Sequence, residues 1–284
     1  METLIQGLLL GGLYALFALG QSLIFGVMRL TNTAHGDFII LGSFIALSLA
    51  SLGLAPSYAF LLTIPVTWLI GYGLQKWVLN GTLSKDPLPS LVVTFGLSIV
   101  VQNLLLEGFS ADPRSIDTDG FSTMSWGLGG DLSVGVLPVS IFFLALASTI
   151  GLQWLFNKTS LGRAFRAVSD DREIAELMGL NANKVYAQAT ALAFVFVGVA
   201  GVLQGMRTTV APSDGPLLLL FAFEAVIIGG MGSFWGTLAG AMVLGITQQI
   251  GFRLDPGWGV WAGHLMFLVI LILRPQGLFP KTKG

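Results

Sequence analysis

Long apolar segments are the feature that most limits what this sequence can fold into. Seven of them carry almost no charge, and most approach the roughly 20 residues that a helix needs to cross a bilayer. These seven are 4–28, 57–76, 88–107, 135–156, 185–206, 234–251 and 257–273. Two shorter apolar segments are 38–52 and 217–231. The pattern predicts an all-α, polytopic integral membrane protein with eight to ten transmembrane helices, including short or broken ones, in a single domain of residues 1–284.

The composition supports this class and excludes several kinds of site. Only 10% of the residues are charged, whereas a soluble domain has about 25%. The absence of cysteine excludes disulfides, thiol catalysis and thiolate metal sites, and two histidines are too few for a structural zinc site. A net charge of -1 gives no reason to expect a nucleic-acid partner. The first apolar segment starts within "METLIQ", which lacks a basic region, so we expect a permanent span rather than a cleaved signal peptide.

The distribution of basic residues predicts the orientation. If both short segments cross and segment 157–184 is cytoplasmic, 11 of the 14 Lys and Arg residues fall inside and 3 fall outside. The inside set is Arg29, Lys76, Lys85, Lys158, Arg163, Arg166, Arg172, Lys184, Arg274, Lys281 and Lys283, and the outside set is Arg114, Arg207 and Arg253. The positive-inside rule then favours an outside N-terminus and a cytoplasmic C-terminus. This alternation fails if either short segment is re-entrant without crossing.

The longest outside connection, 109–134, is acidic. It contains Asp112, Asp117, Asp119 and Asp131 against Arg114. It is interpreted either as a solvated connector or as a docking surface for an external partner.

Glycines at a spacing of four residues recur within the apolar segments. Examples are Gly7 and Gly11, Gly201 and Gly205, and Gly232, Gly236 and Gly240. Residues four apart lie on one helix face, where glycine lets two backbones approach closely. We therefore expect tight helix packing, as in a transporter.

The segment 157–184 is the only long polar stretch on the predicted inside. Asp170 followed by Glu173 predicts a capping box at the start of a short helix. Ile174, Leu177 and Met178 form an apolar stripe at helical spacing, and Gly179 predicts a left-handed C-cap. Such a stripe either lies on the membrane surface or inserts into a partner protein.

The first short apolar segment follows a polar turn, "RLTNTAHGDF", which begins at Arg29. Residues 38–52 would form a helix of about 22 Å, which is short for a bilayer core of roughly 30 Å. A helix that starts at membrane depth leaves free N–H groups, which are tolerated only inside protein or beside a water-filled cavity.

Each polar residue of this turn has an expected role in starting the short helix or in hydrogen bonding. We expect Asn32 and Thr33 to cap the short helix and Asp37 to favour its N-terminus through the dipole. His35 can donate and accept hydrogen bonds and can titrate near neutral pH. The turn is interpreted as a hydrogen-bonded pin, as part of the translocation path, or as both.

The second short segment places Glu224 among apolar residues and ends in a glycine-rich turn. An ionisable group inside a span is costly, so Glu224 is a candidate for the path or a gate, with a structural hydrogen bond as the alternative. The two short segments are predicted to run in opposite directions, which would suit an inverted repeat with halves 1–156 and 185–284. Further polar residues within the apolar segments are Gln21, Gln102, Asn103, Gln188, Gln204, Gln248 and Gln249.

Several stretches resemble one family of membrane proteins. "GRAFRAVSDDREIAELMGLNANKVYAQATALAFVFVGVAGVLQG" is similar to the cytoplasmic loop and following span of the branched-chain amino-acid-type ABC importer permeases of the LivH type. "SLIFGVMRLTNTAHGDFIILGSF" resembles the first span and N-x-A-H-G turn of that family. "AVIIGGMGSFWGTLAGA" resembles its glycine-rich signature, and "LILRPQGLF" resembles its tail. Together these stretches cover most of the chain in the order that the family has.

The resemblance implies a set of partners and a location. Permeases of this family pair with a second, homologous LivM-like permease subunit and carry two cytoplasmic ATPase subunits. They receive solute from a periplasmic binding protein and lie, among lipids, in the bacterial inner (cytoplasmic) membrane. The resemblance makes segment 160–180 the element that couples to the ATPase. Its candidate contact residues are Arg163, Arg166, Asp170, Glu173, Ile174, Leu177, Met178 and Gly179.

We therefore expect a permease without enzymatic activity of its own. The chain has no Gly-Lys dipeptide and so no Walker A loop, which leaves ATP and magnesium to a separate subunit. Branched-chain or other amino acids are the first expected solutes, and urea, short amides and aromatic carboxylates are alternatives. An ion-coupled secondary transporter is a weaker alternative, since few carboxylates lie within the apolar segments. An intramembrane enzyme is weaker still, since no metal-ligand spacing or nucleophile–base pair is evident.

Overall fold

Each of the nine apolar segments forms a helix in the computed structural model, which describes residues 1–83, 86–127 and 133–279. These helices are α1 (Glu2–Met28), α2 (His35–Ser51), α3 (Pro56–Trp77), α4 (Leu88–Phe109), α5 (Val136–Lys158), α8 (Ala182–Arg207), α9 (Gly215–Gly229), α10 (Phe234–Leu254) and α11 (Trp258–Leu273). Their ends lie within three residues of the predicted segments. Lys85, Asp131, Lys281 and Lys283, which entered the charge predictions, lie outside the described residues.

Two further helices form the polar segment between α5 and α8, as predicted. They are α6 (Ser160–Asp170) and α7 (Arg172–Leu177). The long connection after α4 contains a small antiparallel hairpin of β1 (Ser125–Gly127) and β2 (Ser133–Gly135). Short 3₁₀ turns lie at Leu79–Gly81, Phe121–Thr123 and Pro212–Asp214.

Within the described residues, six helices are long and apolar enough to cross a membrane. They are residues 2–28, 56–81, 88–109, 136–158, 182–207 and 212–229, and shorter apolar helices are 35–51 and 258–273. The polytopic all-α class is therefore confirmed, and the exact number of spans stays a prediction.

Burial separates central from peripheral helices. In its most apolar stretch α1 is 89% buried and α8 is 72% buried, whereas α4 and α5 are each 28% buried. The exposed residues of α4 and α5 are mostly apolar, for example Val92, Phe95 and Phe143. The high burial of α1 and α8 places them at the centre of the bundle. Because apolar side chains on an outward face are stable in lipid, α4 and α5 present a surface suited to lipid.

The helix α2 begins halfway along the bundle. His35, its first residue, contacts the backbone oxygen of Phe17, which is the sixteenth of the 27 residues of α1. From Phe17 to the end of α1 is about 17 Å at 1.5 Å per residue. The five residues 30–34 cover about the same distance in extended form and lead the chain back into the bundle. From there α2 runs towards the end at which α1 begins. We name this end outer and the opposite end inner, after the predicted sides.

The helix α9 also begins halfway along, but it runs in the opposite direction. Gly215, its first residue, packs against Gly36 and Asp37 at the start of α2. After α9 ends at Gly229, Gly232 packs against Gly26 near the inner end of α1. The opposite directions predicted for the two short segments are thus observed.

The helix packing has an approximate internal symmetry, in which α1, α2, α3 and α4 correspond to α8, α9, α10 and α11. The contact of α1 with α10 has its counterpart in that of α8 with α3, and the contact of α1 with α9 matches that of α8 with α2. The contacts of α1 with α8 and of α2 with α9 each map onto themselves, whereas the close packing of α10 with α11 has no comparable counterpart between α3 and α4. This arrangement supports the predicted inverted repeat, with α5–α7 between the matching sets. The halves 1–156 and 185–284 stay a prediction.

Candidate functional site

Asn32 pins the turn before α2 but does not cap the helix, so that prediction was wrong. The helix begins at His35, three residues before the predicted Phe38, and its N-cap is Ala34, which has no side-chain capping bond. Asn32 lies two residues before this N-cap position. It closes the turn instead, because its Oδ1 accepts a hydrogen bond from the Ala34 backbone N–H at 3.0 Å. The side chain is fully buried, and its Nδ2 has no partner among the described residues.

Thr33 is also not a cap. Its hydroxyl lies 2.9 Å from that of Thr94, and its backbone N–H donates to the same hydroxyl. This pair ties the turn to α4. His35 ties it to α1, because Nε2 lies 2.7 Å from the Phe17 backbone oxygen. The other ring nitrogen, Nδ1, has no partner within the described residues.

Asp37 lies where the N-termini of α2 and α9 meet. It is in the first turn of α2, as predicted, and accepts a hydrogen bond from Gln102 Nε2 at 2.8 Å. Both helix N-termini carry positive partial charge, so a carboxylate between them is favourable. A Cβ on Gly36 would overlap the Gly215 carbonyl, and a Cβ on Gly215 would overlap the Asp37 carboxylate. Both glycines are thus required for the two N-termini to meet.

Glu224 pairs with a residue that the sequence analysis did not connect to it. His264 Nδ1, on α11, lies 2.5 Å from Glu224 Oε1. Glu224 is 1% exposed, and its Oε2 has no partner in the described part of the chain. His264 is partly exposed on the outside of the bundle. A signal was present in the sequence, because each is an ionisable residue isolated in an apolar segment, and such residues tend to pair with one another.

A second buried polar pair lies near Glu224. The Tyr14 hydroxyl donates to Gln248 Oε1 at 2.6 Å, and the Tyr14 ring packs on Phe221 with centroids 4.8 Å apart. Gln248 Nε2 and both polar atoms of Gln21 have no partner among the described residues. Leaving a buried polar group unpaired costs about 1–3 kcal/mol. Such groups are typical of places where a protein binds water or a solute.

The capping box predicted for α7 was wrong by one residue. Asp170 is the last residue of α6, and Asp171 is the N-cap of α7, with its carboxylate accepting from the Ile174 backbone N–H at 3.0 Å. Asp171 has the extended backbone of an N-cap, whereas Asp170 is still helical. Glu173 is then at the second helical position instead of the third, too early to close the box. The predicted left-handed cap at Gly179 is confirmed by its φ of +89°.

The apolar stripe of α7 is not covered by any described residue. Ile174, Leu177 and Met178 are 59%, 87% and 81% exposed. The segment that carries them is firmly seated: Ser169 donates to the Gly26 carbonyl of α1 at 2.8 Å, and Phe165 is fully buried against Phe156 of α5. Arg163 is exposed, and Arg166 contacts Asn157. The predicted coupling residues therefore lie together at the inner end, on an element that is rigidly attached to the spans.

The described residues contain no group of three or more His, Cys, Asp or Glu side chains that could hold a metal ion. The candidate sites are thus the central helix break with Glu224 nearby, and the stripe on α7.

Comparison with known proteins gives consistent matches along the whole chain. The permease protein BraD of the high-affinity branched-chain amino acid transport system of Pseudomonas aeruginosa is 30% identical, over 100% of this chain and 96% of BraD. The permease protein LivM of the same kind of system in Escherichia coli K12 is 26% identical, over 95% of this chain and 68% of LivM.

A solved structure shares the fold. PsaBC from Streptococcus pneumoniae, in complex with Fab, matches with a TM-score of 0.50 and 15% identity, over 100% of this chain and 96% of the matched chain. The model of the family described as "Branched-chain amino acid transport system / permease component" matches residues 3–274. The chain therefore belongs to the family of branched-chain amino acid transport system permease components, as its sequence motifs predicted.

Proposed function

We propose that this protein is the membrane permease subunit of a binding-protein-dependent ABC importer that moves branched-chain or other apolar amino acids by alternating access. The observation that carries the mechanism is the meeting of α2 and α9 halfway along the bundle. Two helices that start at membrane depth and run to opposite ends resemble the broken helices on which many transporters build their solute path. Membership of the permease family supports the choice of solute.

The central break supplies the groups that face the path in this proposal. Asn32 Nδ2 and His35 Nδ1 have no partner among the described residues and lie next to the joined N-termini. Glu224 extends the polar region inwards along α9, with one carboxylate oxygen free in the described structure. A solute that passes this region would replace the missing hydrogen bonds, whereas an apolar wall would offer none.

The driving force in this proposal comes from two ATPase subunits that bind ATP and magnesium on the inner side. The α7 stripe would insert into an ATPase, since burial of each such side chain contributes roughly 1.5–3 kcal/mol. The contacts of Ser169 and Phe165 with α1 and α5 give the movement of the ATPase a rigid route into the bundle.

A second, LivM-like permease subunit and a periplasmic binding protein complete the proposed assembly in the bacterial inner membrane. The similarity to both BraD and LivM supports a pair of homologous permeases. The loop 109–134 at the outer end is the proposed docking surface for the binding protein.

Reconstitution tests the function. Proteoliposomes are prepared with the permease pair in the membrane, the ATPases on the inside and the binding protein on the outside. They should accumulate radiolabelled leucine only when ATP is enclosed in the vesicles. Parallel assays with urea, acetamide and benzoate test the alternative solutes, and uptake driven by an ion gradient without ATP would show a secondary transporter instead. Failure of leucine uptake with ATP-driven uptake of urea or benzoate would reject the proposed solute and keep the machinery.

A further inference from the structure

The outer end of the bundle contains two adjoining cavities of opposite character. The polar cavity, of about 560 Å³, has Asp117, Thr118, Met206 and Arg207 in its lining. The apolar cavity, also about 560 Å³, is lined by Phe60, Leu61, Phe121 and Met206, together with Thr118 and Asp119. The two cavities share Thr118 and Met206, so they lie side by side. Each is within the range of about 300–1,000 Å³ typical of small-molecule pockets.

The polar cavity contains a cation and an anion that do not neutralise each other. The Arg207 side chain, at the end of α8, has no hydrogen bond or ion pair among the described residues, and its guanidinium interacts electrostatically with the Tyr14 hydroxyl and not with Asp117. Asp117 uses Oδ1 to accept from the Asp119 backbone N–H at 3.0 Å, which leaves its other carboxylate oxygen available. A guanidinium and a carboxylate that line one cavity without pairing with each other are both available to a ligand that carries both charges.

The cavity is built on firm backbone. Arg114 and Val210 exchange backbone hydrogen bonds of 2.9 and 2.7 Å, and the Ile116 N–H donates to the Gly205 carbonyl at 2.8 Å. These bonds join the acidic loop to the end of α8. The Thr118 hydroxyl, 2.8 Å from that of Ser122, closes the turn that carries Asp117 and Asp119. The backbone that carries Asp117 is thus joined to the end of α8 that carries Arg207.

From this geometry we infer that the two cavities form a binding site for a zwitterionic amino acid with an apolar side chain, at the outer entrance of the permease. Arg207 binds the carboxylate, Asp117 binds the ammonium group, and Phe60, Leu61, Phe121 and Met206 take the side chain. The segment 208–214 leads from Arg207 to the start of α9, so the chain connects this outer site to the central break. The inference rests on the proposed amino-acid solute.

The experiment removes one charge from the site and the matching charge from the ligand. The complex of permease pair and ATPases, in lipid nanodiscs without the binding protein, is titrated with [³H]leucine. Competition with leucinamide, which lacks the carboxylate, and with 4-methylpentanoate, which lacks the ammonium group, gives the preference for each charge. The Arg207→Gln variant should lose about tenfold of the preference for leucine over leucinamide, and Asp117→Asn about tenfold of that over 4-methylpentanoate, since each loses one hydrogen bond to a charged group.

Matched controls lie at the same end of the bundle. Arg253 donates to Thr3, and Asp255 accepts from the Gly257 backbone N–H two residues on, as Asp117 does from Asp119. Arg253→Gln and Asp255→Asn should keep both preferences. Arg207→Lys and Asp117→Glu keep the charges and should restore part of the binding, which guards against a general folding defect.

Each outcome decides between the two proposals. The site is rejected if the wild-type complex transports leucine with the binding protein but shows no saturable leucine binding without it, or if the two variants weaken all three ligands equally. The latter result would assign Arg207 and Asp117 to structure or to docking. If the complete transporter does not move leucine at all, the proposed solute fails, and this site fails with it.

Discussion

At the residue scale, the turn before α2 depends on a single amide. Asn32 is fully buried, and its Oδ1 satisfies the backbone N–H of Ala34. An alanine at this position leaves that N–H buried without its partner, at a cost of about 1–3 kcal/mol. This cost is enough to shift the turn, but it is small compared with the free energy that the packing of nine apolar helices contributes.

We therefore expect Asn32→Ala to lower the leucine transport rate more than the amount of protein in the membrane. Asn32→Asp keeps the accepting oxygen and is the matched variant, which should retain the turn. Transport per molecule is measured with quantitative immunoblots. A wild-type rate for Asn32→Ala would contradict a role of the turn in transport.

Substitutions at Glu224, which pairs with His264, can distinguish a role in the solute path from a purely structural role. Glu224→Gln keeps the shape and a hydrogen-bonding group next to His264 but removes the charge, so a path role predicts an altered transport rate or solute affinity. Glu224→Leu removes the polar group and should impair assembly in either case. Normal uptake with Gln, together with loss of folded protein with Leu, would assign Glu224 to structure alone.

The sequence marked Glu224 and His264 as isolated ionisable residues, but it could not show that they meet or which atom Asn32 binds. Glu224 and His264 are 40 positions apart, and their contact exists only because α9 and α11 pack together. Asn32 was recognised as a turn residue, but its exact bond depended on the start of α2. That start was hidden because His35, Gly36 and Asp37 are polar or small and do not extend the apolar segment that predicted the helix.

At the element scale, α7 is the exposed part of a rigid inner-end unit. Its N-cap could not be assigned between Asp170 and Asp171 by residue type, since both are equally good capping residues. The stripe was nevertheless predicted correctly, because Ile174, Leu177 and Met178 share a face whichever aspartate begins the helix.

Leu177→Asp should leave the permease in the membrane and release or uncouple the ATPase. Leu177 is 87% exposed, so the chain alone loses little on substitution, whereas a carboxylate in a buried partner groove is costly. Co-purification and solute-stimulated ATP hydrolysis are the measurements, and Leu177→Met, which keeps the apolar surface, is the control. Full coupling of the Asp variant would place the coupling element elsewhere.

At the scale of the whole molecule, the lengths of the helices were predictable because the apolar segments had to match a bilayer. A start at membrane depth was predicted for α2, but its meeting with the start of α9 was not, because connecting segments such as 208–211 carry no periodic signal. The orientation in the membrane is also a property of the whole chain. It was predicted from the distribution of basic residues between the inner and outer ends of the bundle.

Single-cysteine labelling can test this orientation, since the natural sequence has no cysteine. Asp112→Cys, in the outer loop, should react with an impermeant maleimide on intact spheroplasts. Glu173→Cys, in α7, should react only after the membrane is opened. Both residues are exposed, so access depends on the side and not on burial. The reverse pattern would invert the predicted topology.

The opposed half-helices also have an electrical consequence. The dipoles of α2 and α9 point along the bundle in opposite directions, because their N-termini meet at Gly36 and Gly215. If both helices move during a transport cycle, the charge that one displaces across the membrane field is offset by the other. With a zwitterionic solute, the movements of this subunit would then carry almost no net charge, and its turnover would be nearly independent of the membrane potential.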